Sequence, residues 1–88
     1  MSLLNAISYV KRGKNRQKVF LAVDKPIMPS EIAETVFRGK GNTNLTLVSR
    51  ALRELSDECL VKVANPKART GRLYQKTRLG KAVAAKLR

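Results

Sequence analysis

Helix-breaking residues divide this chain into short segments, so it cannot form one long helix or a coiled coil. Gly13, Pro26 and the pair Gly39 and Gly41 each interrupt a run of regularly spaced apolar residues. Between these breaks, leucine, isoleucine and valine recur three or four residues apart, which is typical of helices with one buried face. The chain has 88 residues, which predicts one domain spanning residues 1–88. We therefore expect several short helices packed around one small core.

The N-terminal quarter is predicted to form two helices with a break or kink at Gly13. Residues 2–12 carry apolar side chains at helical spacing, and Ser2 is a suitable N-cap. Residues 15–23 show a second helical pattern, with Asn15 as the expected N-cap. An unbroken helix would bring polar side chains onto the apolar face, and this favours the interruption.

Residues 29–57 are predicted to form two helices joined by a turn over residues 37–42. Proline is well suited to the first turn of the leading helix, and two glycines punctuate the connection. The second helix, residues 44–57, has the clearest periodicity in the chain, with Thr43 or Asn44 as its N-cap. Its predicted buried positions are Leu45, Val48, Leu52 and Leu55.

The C-terminal third is predicted to form a hairpin over residues 60–76, followed by a helix over residues 77–88. Two alternating segments flank a loop rich in turn-forming residues, and Thr77 is placed to cap the last helix. Ile27 and Met28 can add a very short third strand. The predicted fold class is α+β and mostly helical, with a small two- or three-stranded antiparallel sheet.

The charge distribution indicates a polyanionic partner. Nineteen lysines and arginines against six acidic residues give a net charge of +13, and residues 1–23 and 59–88 contain no acid at all. Solubility of a small domain needs a net charge of only about 2–8 in magnitude. The excess favours duplex DNA, RNA or anionic lipid.

Four motifs in order resemble winged helix-turn-helix transcription regulators, loosely of the MarR/ArsR type and most like small archaeal ones. The motifs are Pro29-Ser30-Glu31-Ile32-Ala33-Glu34, Val48-Ser49-Arg50-Ala51-Leu52-Arg53-Glu54-Leu55, Cys59-Leu60-Val61-Lys62 and Tyr74-Gln75-Lys76-Thr77-Arg78-Leu79-Gly80-Lys81. The resemblance covers roughly residues 15–88. It implies a helix-turn-helix at residues 29–57, a recognition helix at residues 44–57 and a wing hairpin at residues 60–76.

The resemblance also implies which side chains contact DNA. The expected recognition-helix contacts are Thr43, Asn44, Thr46, Ser49, Arg50 and Arg53. The expected wing contacts, on the adjacent backbone or in the minor groove, are Lys67, Arg69 and Arg72. Arg50 and Arg53 could instead form a solvated face paired with Glu54 or Asp57. The basic residues of the N-terminal segment either touch phosphate or are simply solvated: Lys11, Arg12, Lys14 and Arg16.

Composition excludes several classes of site. The chain has no histidine and one cysteine, so we expect no disulfide framework, no Cys/His zinc site, no cofactor and no enzymatic activity. Cys59 is expected to be a buried, inert thiol. It stands where the related family has glycine, so its turn is not expected to need a left-handed residue. No apolar run spans a membrane and no secretory leader is evident, so a cytoplasmic, nucleoid-associated location is expected.

The sequence favours a sequence-specific, duplex-DNA-binding transcription regulator acting as a homodimer through residues 2–12, residues 77–88 or both. A sequence-independent chromatin protein and an RNA- or ribosome-associated winged helix stay open as alternatives. A winged helix that docks on an acidic protein is a third alternative.

Overall fold

The computed structural model describes residues 2–39 and 41–87 and is mostly helical, with a small two-stranded antiparallel sheet. This confirms the predicted α+β class. In chain order the elements are α1 (Leu3–Arg12), α2 (Lys14–Ala22), α3 (Pro29–Phe37), α4 (Asn42–Asp57), β1 (Val61–Val63), β2 (Tyr74–Lys76) and α5 (Arg78–Leu87). No helix of the described residues has the length and apolar character needed to cross a membrane.

The break between α1 and α2 falls at Gly13, as predicted. Ser2 caps α1, its hydroxyl accepting a hydrogen bond from the Asn5 amide at 3.2 Å. The N-cap of α2 is Gly13, so the prediction of Asn15 was wrong. The helix starts before Asn15 because the Gln17 amide already donates to the Gly13 carbonyl at 2.8 Å. The Arg16 side chain also folds back over Gly13, which favours glycine there. A Cβ at Gly13 would lie 2.9 Å from that side chain.

The connection between α3 and α4 also differs in detail from the prediction. Helix α4 begins at Asn42 with Gly41 as its N-cap, so Thr43 and Asn44 are helical residues and not caps. The Asn44 amide instead donates to the Gly39 carbonyl at 3.2 Å and holds the turn against the helix. Helix α3 ends at Phe37, and its C-cap is Arg38, whose φ of 58° is left-handed. The turn therefore reverses at an arginine, not at a glycine.

The hairpin has shorter strands than predicted but the expected pairing. Val61 is opposite Lys76, and Val63 is opposite Tyr74. The anticipated third strand is reduced to one bridge, in which Ile27 and Tyr74 exchange backbone hydrogen bonds of 3.0 and 2.8 Å. This bridge ties the segment before α3 to the end of the hairpin strands that adjoins the loop.

Cys59 is exposed and has a left-handed backbone, with φ of 61°. Both expectations for it were therefore wrong. The turn after α4 requires a left-handed residue whether or not glycine occupies it, since the Leu60 amide must reach back to the Leu55 carbonyl at 2.9 Å. The apolar neighbours Leu60 and Val61 are buried, but they lie on the inner side of the turn and leave the thiol outside.

One apolar core joins all five helices and the first strand. Phe20, Ile32, Leu52 and Val83 are fully buried in it. Thr77 caps α5 as predicted, with its hydroxyl accepting from the Gly80 amide at 3.0 Å. Gly80 itself lies against the backbone, because a Cβ there would be 2.1 Å from the Leu60 carbonyl oxygen. This close approach sets the position of α5 against the turn between α4 and β1.

Candidate nucleic-acid interface

Helix α4 presents one polar and cationic face to solvent. Its apolar side buries Val48, Leu52 and Leu55. The opposite side exposes four of the predicted contact residues, Thr46, Ser49, Arg50 and Arg53, and Thr43 is exposed one turn earlier. Four of these five side chains, together with Asn42 and Leu45, border an open groove of about 530 Å³. The predicted recognition residues on α4 therefore share one accessible surface, apart from Asn44.

Asn44 is the predicted contact that the structure draws away from this surface. It is half-buried, and its amide is engaged by the Gly39 carbonyl. The first turn of α4 carries no acidic residue, and within the described residues no side chain caps it. The positive end of the α4 dipole is thus uncompensated by a carboxylate of its first turn, which suits an anionic partner.

Neither Arg50 nor Arg53 forms an ion pair with a carboxylate of the described residues. The alternative of a face paired with Glu54 or Asp57 is therefore not what the structure contains. Glu54 is engaged elsewhere, by Arg16, at 3.5 Å. Both guanidinium groups keep their donors available for a partner.

Arg16 has a structural role that the sequence does not reveal. Its Nε donates to the Tyr9 carbonyl at 3.0 Å, its guanidinium lies 3.7 Å from the centre of the Tyr9 ring, and its side chain is only 15% exposed. The Tyr9 hydroxyl in turn donates to the Glu54 carbonyl at 3.4 Å. This cluster of Tyr9, Arg16 and Glu54 links α1, α2 and α4. Arg16 is therefore neither solvated nor free to contact phosphate.

The pKa of the Tyr9 phenol is raised above its usual 10.0. Burial is the largest cause. The Arg16 guanidinium opposes the shift, and the carboxylates of Glu54, Glu58 and Asp57 add to it. The phenol consequently stays protonated throughout the physiological range and keeps its proton for the Glu54 carbonyl.

Among the other N-terminal basic residues, Lys14 borders a groove that it shares with α4. A groove of about 300 Å³ between the start of α2 and α4 is bordered by Lys14, Asn15 and Arg50. Lys11 and Arg12 are exposed in the last turn of α1 and do not border this groove. Lys14 therefore extends the cationic surface of Arg50.

The loop between β1 and β2, which the sequence predicts to be a wing and which we call the wing below, is held in shape by Asn65. Its side-chain oxygen accepts from the Leu73 amide at 2.7 Å, and its side-chain nitrogen donates to the Gly71 carbonyl at 3.2 Å. Gly71 has a φ of 64°, a left-handed conformation that glycine adopts without steric cost. Asn65 was not singled out from the sequence, although asparagine before proline is a signal for a turn of this kind.

The wing carries its three predicted cations on its outer surface. Lys67, Arg69 and Arg72 are all exposed, and Arg72 Nε donates to the Ala68 carbonyl at 3.2 Å. A groove of about 510 Å³ runs between the wing and the helices. It is bordered by Arg69 and Arg72 on one side and by Ser30 and Leu45 on the other. Because Leu45 also borders the groove along α4, the two cationic surfaces adjoin each other.

Comparison of the chain with protein-family models, curated proteins and solved structures finds no significant match. The interpretation of this surface therefore depends on its geometry and charge.

Proposed function

We propose that this protein is a winged helix that binds duplex DNA in a sequence-specific manner and regulates transcription. In this proposal α4 enters the major groove, and residues 65–72 contact the adjacent backbone or minor groove. The observation that carries the proposal is the accessible α4 face, whose unpaired Arg50 and Arg53 adjoin the basic wing. A cytoplasmic, nucleoid-associated location belongs to the same proposal.

Dimensions and chemistry support this mode of binding. A B-DNA major groove is about 12 Å wide and admits one α-helix. Arg50 lies mid-helix and can donate two hydrogen bonds to guanine, a contact that contributes about 1–3 kcal/mol of discrimination. Arg53 lies nearly one turn further along and is assigned to phosphate, which positions the protein but reads no sequence.

A homodimer is part of the proposal, with its contact at the start of α1. Leu4 is 79% exposed and Leu3 is 37% exposed, and no other large hydrophobic residue of the described chain is comparably open. Burying them between two copies would stabilise a domain whose own core is small. Two copies of α4 would then read half-sites about 34 Å apart on one face of the duplex.

Single-stranded RNA is a weaker candidate partner because the described residues offer no stacking platform. Phe20 is buried, and Tyr9, Phe37 and Tyr74 are half-buried against the core. Readers of single-stranded nucleic acid usually stack bases on exposed aromatic side chains. The aromatic residues of this chain are used for packing.

The first experiment is selection from a random-sequence duplex pool at about 150 mM salt, where nonspecific binding is already weakened. The proposal expects enrichment of an inverted repeat, whose spacing would report the dimer geometry. Binding without enrichment would instead indicate a chromatin-type or RNA-directed protein, and structured RNA would then be titrated. No binding to either nucleic acid would point to an acidic protein partner.

A further inference from the structure

We propose that the exposed face of α5 is a second duplex-binding surface, so that one molecule can link two DNA segments. The proposal rests on duplex binding by α4 and adds a second contact to it. It concerns Arg78, Lys81 and Lys86, which we call the α5 cations.

The α5 cations form one continuous surface. At 100° per residue, Gly80, Val83 and Ala84 point inward and are buried, whereas the three cations and the two alanines between them point outward and are exposed. From residue 78 to residue 86 the helix rises about 12 Å. A duplex of that length carries about seven phosphates. The surface therefore matches a polyanion in extent as well as in sign.

The α5 cations are not neutralised within the protein. None forms an ion pair with a carboxylate of the described residues, and α1, on which α5 packs, contains no acid. Asp24 is the acidic residue that borders the depression beside Lys81, and its carboxylate lies 3.7 Å from the Lys76 ammonium. The field of this face is therefore positive.

The α5 surface is separate from the α4 surface. Helix α4 packs on α2, α3 and β1, whereas α5 packs on α1 and β2. Both helices bury their apolar sides in the same core, with Leu52 and Val83 among its members. None of the three grooves described above, which border Arg50, Arg53 or wing cations, includes a residue of α5. The molecule measures 33 × 27 × 19 Å, which makes it comparable in thickness to one duplex. In this proposal, a duplex lying along α4 leaves the α5 cations available to a second duplex.

Other occupants fit this face less well. A second copy of the chain that docked through its own α5 would place three cations against three cations, which repel. A membrane surface favours helices with large apolar residues beside the cations, whereas the outward apolar residues of α5 are Ala82 and Ala85. A second duplex is matched by charge and needs no large apolar contact.

The test is a bridging assay on the full chain. Beads carrying a biotinylated duplex are mixed with protein and a fluorescent duplex, and the captured fluorescence reports linked pairs. The test variant carries Arg78→Ala, Lys81→Ala and Lys86→Ala. Alanine is a strong helix former at exposed positions, so folding is preserved, and circular dichroism checks this.

We expect the wild type to capture the second duplex and the α5 variant to capture about tenfold less. Losing three phosphate contacts should also lower the slope of log affinity against log salt by about 2.7. Affinity for a single short duplex should change little. The matched control, Lys11→Ala with Arg12→Ala and Lys18→Ala, removes the same charge from α1 and α2 and should still bridge.

Five results would overturn the inference. Undiminished bridging by the α5 variant would assign the linkage to the two α4 faces of a dimer. An equal loss of bridging in the control variant would show that bridging depends on net charge and not on the α5 cations. Failure of the wild type to bridge, with single-duplex binding intact, would refute the second duplex-binding surface on α5 but not the proposed function. Capture of phosphatidylserine vesicles in place of the second duplex would have the same meaning. Failure to bind any duplex would refute the proposed function as well.

Discussion

Arg16 and Arg50 show how differently the same residue type is used in this chain. Arg16 lies in the acid-free N-terminal segment and is folded onto Tyr9 and Glu54. Arg50 lies in the segment that contains all six acidic residues, yet it faces solvent without a carboxylate. The difference arises because Glu54 lies on the flank of α4 that meets the junction of α1 and α2. Because Glu54 pairs with Arg16, it does not pair with Arg50.

Replacing Arg50 by alanine tests the assignment of this residue to base recognition. We expect Arg50→Ala to lower the preference for the selected site by about 1–3 kcal/mol and to leave nonspecific binding nearly unchanged. Arg53→Ala is the matched control and should weaken binding to all sequences alike. Titrations of selected and scrambled duplexes measure both effects. If Arg50→Ala weakened binding to both duplexes equally, Arg50 would be assigned to a phosphate contact and not to a base contact.

Gly80 offers a prediction about stability. In Gly80→Ala the new Cβ would lie 2.1 Å from the Leu60 carbonyl oxygen, which also accepts the Thr77 amide at 3.1 Å. We expect the free energy of unfolding to fall by about 1–3 kcal/mol, because the backbone must shift despite the higher helix propensity of alanine. Gly41→Ala is the control, since no atom lies within 4 Å of its Cβ position. Urea denaturation would measure both variants, and an unchanged midpoint for Gly80→Ala would contradict the close approach.

At the scale of elements, the wing combines a basic loop with an internal brace. Its cations are exposed at a tip whose ends are joined by Asn65, and its base is tied to Ile27 through Tyr74. Preorganisation of this kind lowers the entropy lost when a loop is ordered on a ligand. The charge and the brace are therefore separable contributions to binding.

The charge of the wing is tested by salt dependence. Replacing Lys67, Arg69 and Arg72 by alanine should reduce the slope of log affinity against log salt by about 0.9 for each lost phosphate contact. Binding isotherms between about 50 and 200 mM salt provide the slope. An unchanged slope would show that the wing does not touch DNA.

The brace is tested by Asn65→Ala. This variant keeps all three wing cations but removes the hydrogen bonds to the Leu73 amide and the Gly71 carbonyl. We expect faster amide hydrogen exchange at Leu73 and a several-fold loss of duplex affinity, about 1 kcal/mol, from ordering the loop on binding. Thr70→Ala, at an exposed position of the same loop, should alter neither quantity. Unchanged exchange at Leu73 in Asn65→Ala would refute the brace.

For the whole molecule, the proposed dimer requires that one of the two terminal helices form its contact. The exposed leucines of α1 favour its N-terminal end, whereas the cations of α5 oppose contact with a second α5. The two helices pack on each other, so either could lie near a seam, but only α1 offers a large apolar residue that solvent reaches freely. The exposed leucines therefore favour α1 over α5 as the dimer contact, whereas the sequence allowed either helix or both.

Leu4→Glu should convert the dimer into a monomer, because it places a charge at the proposed seam without touching the core. Analytical ultracentrifugation at micromolar concentration measures the change. Ala82→Glu is the matched control on the exposed face of α5 and should leave the dimer intact. Dissociation by Ala82→Glu alone would place the seam on α5, and a wild type that sediments as a monomer would refute the dimer.

The sequence by itself determined the helical segments, the hairpin and the segregation of charge. Apolar spacing identifies a buried face from local geometry, and glycine and proline mark the breaks, so the elements differ from the prediction by only one or two residues at most ends. The exposed residues of α4 follow from the same spacing. These features depend on neighbours along the chain.

Tertiary structure alone decided which charges are free and which backbone positions are constrained. The withdrawal of Arg16 and Asn44, the brace at Asn65 and the contact of Gly80 with Leu60 each depend on groups brought together by folding. The exposure of Cys59 likewise follows from the direction of the turn after α4, although its flanking residues are buried. Local patterns predict faces, but only packing decides which side chain on a face already has a partner.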